Sequence, residues 1–116
     1  VVYISTIGYY QSIWRGYGTM TMDNSVVKKN KAKKDGGGIF NEGTMTMDNS
    51  VVKKNTAGKR GGGIFNDGGT LTLVDSVVKK NKANINGGGI FNDGGTLTLV
   101  DSVVKKNNPN NIVEVP

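Results

Sequence analysis

Cysteine and histidine are both absent from the 116 residues. Their absence excludes disulfides, thiolate and imidazole nucleophile–base pairs, zinc fingers, and the one side chain that ordinarily titrates near neutrality. Most familiar enzyme classes go with them, and no cofactor motif stands in their place. Proline occurs twice and aromatic residues make up 7% of the chain. No apolar run approaches the ~20 residues of a membrane span. The opening Val1-Val2-Tyr3-Ile4-Ser5-Thr6 lacks the basic region and small-residue cleavage site of a signal peptide. A first residue other than methionine reads as a processed or excised piece whose export signal lies elsewhere. The length allows one domain.

Glycine, by contrast, is abundant at 18 residues, and the charge is +6. A basic excess carried almost wholly by lysine favours an anionic partner or solubility. The glycines are not scattered as in a disordered chain, because the sequence repeats itself. Gly63 to Asn81 returns unchanged from Gly89 to Asn107, 26 residues on, and Gly38 to Asn55 is an earlier copy shortened by one glycine. A worn copy, Ser12 to Asn30, opens the chain, with Ser12-Ile13-Trp14-Arg15-Gly16-Tyr17-Gly18 in place of Gly-Ile-Phe-Asn-Asp-Gly-Gly.

Within each copy Thr-Met-Thr-Met or Thr-Leu-Thr-Leu alternates with a period of two, Val-Val pairs follow, and Gly, Asn, Asp and Ser groups separate the runs. That is strand and turn chemistry with no helical window. Three short strands per copy bury best if identical copies stack in register. The sequence therefore predicts an all-β parallel solenoid of about four coils, its strands spaced ~4.8 Å apart along the axis. The coils read as 12–37, 38–62, 63–88 and 89–107, with 1–11 and 108–116 as caps. Alternation points Met20, Met22, Met45, Met47, Leu71, Leu73, Leu97 and Leu99 inward. Val27, Val52, Val78 and Val104 follow on the second strand, and Ile13, Ile39, Ile64 and Ile90 on the third. Asn30, Asn55, Asn81 and Asn107 would stack their amides at a bend. Ala32, Ala57, Ala83 and the glycine triplets at 36–38, 61–63 and 87–89 suit tight corners.

Two short motifs recur at fixed spacing: Gly-Gly-Gly-Ile at 36–39, 61–64 and 87–90, and Val-Lys-Lys-Asn at 27–30, 52–55, 78–81 and 104–107. In these the chain resembles the repeats of chlamydial polymorphic outer membrane proteins and similar bacterial and archaeal surface adhesins, which carry Gly-Gly-Ala-Ile and Phe-x-x-Asn. Valine stands throughout where that family has phenylalanine. The resemblance implies a right-handed β-helix of the wider pectin-lyase-like architecture, an exported or cell-surface location, and a structural or adhesive role. The architecture also admits polysaccharide lyases and hydrolases, of which this chain would then be a fragment.

Several repeated columns are candidate sites. Lys28, Lys29, Lys53, Lys54, Lys79, Lys80, Lys105 and Lys106 form a stripe in which ammonium groups ~5 Å apart repel by about 0.8 kcal/mol even in water. Acidic glycan or another cell-surface polyanion would relieve that repulsion, and solvated lysines that block unwanted sheet pairing are the plainer reading. Nucleic acid is disfavoured, since no aromatic residues interleave to stack bases. Thr19, Thr21, Thr44, Thr46, Thr70, Thr72, Thr96 and Thr98 form a flat outward grid that resembles the ice-binding face of β-solenoid antifreeze proteins, although threonine is also an ordinary exposed strand residue. Trp14, Phe40, Phe65 and Phe91 follow the inward isoleucines as an aromatic column, facing in or out. Glu42, Asp67 and Asp93 would stack near the carboxylate spacing of retaining glycosidases. Copies of one environment do not give the two unlike acids that such catalysis needs. Calcium at Asp75, Asp101, Asn24 and Asn49 lacks the nonapeptide pattern. The reading is non-enzymatic, without metal or cofactor. Open strand edges at both ends favour head-to-tail association into filaments.

Overall fold

The computed structural model describes residues 2–5 and 14–116. Every strand pairing is parallel and joins residues in successive coils, as burial by in-register stacking requires. One pass through a coil is seen at Ile39–Asn41, Thr44–Asp48, Val51–Lys53 and Thr56–Ala57. The chain thus forms a phenylalanine sheet, a threonine sheet, a valine sheet and a short fourth ladder. The short fourth ladder adds to the three strands expected per coil. Ala32, Ala57 and Ala83 are not corner residues but the inward members of two-residue strands, buried beside Lys31, Thr56 and Lys82. A two-residue strand has too little alternation to register as periodicity.

The core is a stack of like residues. Met22, Met45, Met47, Leu71 and Leu73 from the threonine sheet meet Val27, Val52 and Val78 from the valine sheet and Ile39, Ile64 and Ile90 from the phenylalanine sheet. Met20, Leu97 and Val104 pack against this cluster from its ends. Leu99, expected inward with them, is 38% exposed because its strand, Thr96–Val100, is the last in its sheet. Ile13 lies outside the described residues.

Phe40, Phe65 and Phe91 form a second, separate cluster. They alternate with the inward isoleucines and so leave the main core, yet they are buried. Neighbouring rings stack at 5.0 and 5.3 Å. Trp14 is not in register with this column. Its register partner is Ile39, and Arg15 stands opposite Phe40. The second coil lacks the extra glycine of the later ones, so the first copy, aligned to those later copies, is shifted by one residue against the second.

Three polar ladders run beside the apolar columns. At the bend after the valine sheet, the N–H and Nδ2 of Asn30 both donate to Asn55 Oδ1, Asn55 does the same to Asn81, and Asn81 to Asn107. Asn111 takes the next place, accepting both bonds from Asn107. A second ladder links Asn41, Asn66 and Asn92. In the third, the N–H of Ser25, Ser50 and Ser76 donates to the serine hydroxyl one coil on, which in turn donates to a carbonyl two residues back. Only the first ladder was an expectation; the recurrence of Asn41, Asn66 and Asn92 after the phenylalanines, and of serine before Val-Val, would have revealed the others. Buried polar groups at bends must be paired, and these columns supply partners from one coil to the next.

The segments read as caps contain strands that lengthen two sheets. Val2–Ser5 pairs with Ser25–Lys28, and Ile112–Val115 pairs with Ile90–Asp93, placing Val113 against Phe91. No described helix is long and apolar enough to cross a membrane.

Candidate functional site

The lysine stripe is built by the end of the valine sheet and the bend that follows it. Lys53 stands opposite Lys28, and Lys79 lies between Lys53 and Lys105, one rung apart at each step. Alternation turns Val52 and Val78 into the core, so the lysines beside them and Val51 and Val77 share the outward face. The following lysines, Lys29, Lys54, Lys80 and Lys106, are exposed and left-handed, with φ of 59°, 56°, 55° and 54°. This turn swings the chain so that the next residue, an asparagine, enters the buried ladder. The backbone N–H of Lys29 donates to the Lys53 carbonyl at 3.4 Å, that of Lys54 to Lys79 at 3.3 Å, and that of Lys80 to Lys106 at 3.1 Å. Partial burial, followed by the charges of Lys80, Lys53, Lys105 and Lys106, holds the Lys79 ammonium below the ordinary lysine pKa.

The threonine grid lies on another sheet. Thr19, Thr44, Thr70 and Thr96 are in register, as are Thr21, Thr46, Thr72 and Thr98, and all alternate outward from the core. A third outward column continues them with Asp23, Asp48, Val74 and Val100, so charge changes along the axis. Asn24, Asn49, Asp75 and Asp101 occupy the left-handed corner that follows. Asn49 donates to Asn24 there. Among the described residues, no group of three or more Asp, Glu, His or Cys comes together. Asp67 and Asp93 are register partners in the phenylalanine sheet.

One arrangement breaks the repetition. Asp35, Arg60 and Asn86 hold equivalent places in successive coils but differ in kind. Arg60 makes a two-pronged contact with Asp35, Nε to Oδ1 at 3.1 Å and Nη2 to Oδ2 at 3.0 Å. Its guanidinium carbon lies 5.0 Å from the ring centres of both Phe65 and Phe91. The hydrogen bond to Asp35 raises the Arg60 pKa against the opposing effect of burial. Cation over aromatic face and bidentate carboxylate together account for the covering of the phenylalanine column. A reading built on identity between copies could not find this group, because its residues are where the copies disagree.

Stacked in-register coils, parallel pairing throughout and amide ladders define a parallel β-solenoid repeat protein. Residues 24–42 match the Chlamydia polymorphic membrane protein repeat. That stretch passes through a valine strand, the lysine corner, the alanine ladder and a glycine triplet to Ile39–Asn41. One repeat of the chain thus matches that family's repeat, in a fold of stacked parallel coils. No curated protein and no solved structure matches the chain.

Proposed function

We propose that this chain is a non-enzymatic, surface-displayed module whose β-solenoid presents repeated faces for adhesion. The observation that carries the reading is the match of residues 24–42 to a repeat described from membrane proteins, in a fold that copies the same outward residues from coil to coil. Repetition suits many weak, identical contacts, whose combined strength grows with the number engaged. Beads coated with the chain should bind a cell surface saturably, and soluble chain should compete. Absence of binding, or release of sugar fragments from a polysaccharide by the purified chain, overturns this reading.

End-to-end association is a second reading, favoured by the outermost rung. Leu99, Val100 and Val103 are 38%, 44% and 46% exposed, whereas their counterparts one coil earlier, Leu73, Val74 and Val77, are buried or half-buried. Strands Thr96–Val100 and Val103–Lys105 each end their sheets. Such edges template further pairing, and lysine on an edge blocks it. Sedimentation over a concentration series should show growing species that Leu99→Lys with Val103→Lys abolishes. A strictly monomeric parent chain at high concentration sinks the idea.

A further inference from the structure

All thirteen lysines fall between the last residue of a valine strand and the glycine triplet or chain end that follows, so they gather on one edge of the solenoid. Seven of the nine carboxylates instead flank the threonine strands, and Asp35 is held by Arg60. The molecule is therefore divided by charge.

The backbone adds a second, independent observation. Two corners of every coil demand a left-handed residue. At one corner Asn24, Asn49, Asp75 and Asp101 supply it, and these are residue types that tolerate the conformation. At the other corner the same conformation is imposed on Lys29, Lys54, Lys80 and Lys106. Lysine has no local hydrogen bond to offset the strain, and asparagine or glycine would fit at lower cost. An unfavourable residue type repeated at four equivalent positions, beside a corner that shows the favourable choice, points to a need for the charge.

We infer that the double lysine column formed by Lys53, Lys79 and Lys105 with the left-handed Lys54, Lys80 and Lys106 binds a linear, polyanionic polysaccharide laid along the solenoid axis. Each rung offers the strand a pair of ammonium groups, and an extended sugar chain with an acidic group on successive rings can meet successive rungs. The outward neighbours of the in-strand lysines are Val51, Val77 and Val103, an aliphatic strip against which sugar rings can lie. No aromatic residue interleaves with the stripe, and base stacking would require one. The inference names a partner for the adhesive module and rests on that reading for its biological setting.

The test is titration of the full chain with heparin at 0.15 M NaCl, with thermal unfolding of each variant. Wild type should bind, and salt should weaken the complex, because exposed charges are screened within ~8 Å at that ionic strength. Lys54→Asn with Lys80→Asn should lower affinity by about tenfold or more. The same pair should raise the melting temperature by about 4–8 °C, because the strained corners relax. Lys53→Gln with Lys79→Gln, which leaves the corners untouched, should lose affinity similarly. Thr44→Asp with Thr98→Asp changes the net charge by as much on the threonine sheet and should leave heparin affinity within about twofold. Unchanged heparin binding by both lysine pairs overturns the inference. So does an equal loss in the threonine pair, which would make net charge the whole cause, or duplex DNA binding as tightly as heparin at the same salt. A chain that binds cells but not heparin overturns this ligand and leaves the adhesive reading standing; one that binds heparin but no cell supports the ligand and removes the adhesive reading.

Discussion

Replacing Asn81 by alanine should cost about 3–5 kcal/mol of folding stability, much of what a domain of this size possesses. The amide sits fully inside the ladder. Its Oδ1 accepts from the N–H of Asn55 at 2.9 Å and from Asn55 Nδ2 at 3.0 Å, and its Nδ2 donates to the Val52 carbonyl and to Asn107 Oδ1, each at 3.0 Å. Alanine fills none of these roles, leaving the Asn55 N–H buried without its partner, at roughly 1–3 kcal/mol, and depriving the Val52 carbonyl of one of its donors. Asn107→Ala removes an equivalent amide at the half-exposed end of the ladder and should cost about 1 kcal/mol, since water can replace what is lost. Urea denaturation followed by circular dichroism gives both values. Equal losses at the two sites would mean that the ladder does not owe its strength to burial.

The second large effect concerns the middle glycine of a triplet. A Cβ on Gly62 would overlap the backbone carbonyl oxygens of both Gly88 and Lys82 in the adjacent coil. Neither obstacle is a flexible side-chain end, so the coils would have to separate at a point where Gly62 N–H donates to the Gly87 carbonyl at 3.0 Å. Gly62→Ala should therefore destabilise by about 3 kcal/mol or more, the upper range for overpacking. Gly68 is the contrasting case. Its φ of 68° penalises a side chain, but nothing lies within 4 Å of the added carbon. Gly68→Ala should cost only the conformational term, about 1–2 kcal/mol. If the Gly68 change lowers the urea midpoint as much as the Gly62 change, close approach of coils is not what requires glycine in the triplet.

Period and alternation were enough to read the solenoid, its inward columns and the first asparagine ladder, because a repeated residue must meet its own copy when coils stack. What escaped that logic has three physical origins. The alanine ladder is too short to alternate. The placing of Trp14 depends on a single glycine present in the turns at 68–69 and 94–95 and absent from the turn at Gly43, and one residue inverts facing in a strand. Asp35 and Arg60 pair because they differ, so repetition hides them. The lysine stripe itself was visible as a pattern, but its left-handed corners were not, since nothing in lysine's chemistry announces that conformation. Of the glycine triplets read as tight corners, the first members, Gly36, Gly61 and Gly87, take a positive φ.

Both asparagine ladders carry one more property. Each side-chain amide points its N–H toward the following coil and its carbonyl back toward the preceding one, from Asn30 through Asn107 and from Asn41 through Asn92. The small dipoles add head to tail instead of cancelling, and polarisation along such a chain strengthens each member. The solenoid is in this sense a vector. Its ladder begins in an electron-rich oxygen, Asn30 Oδ1, buried and without a hydrogen-bond partner among the described residues, and its donor end is quenched by Asn111. A coil added in reverse orientation would set oxygen against oxygen, so growth by duplication is compatible with this interior in only one sense along the axis.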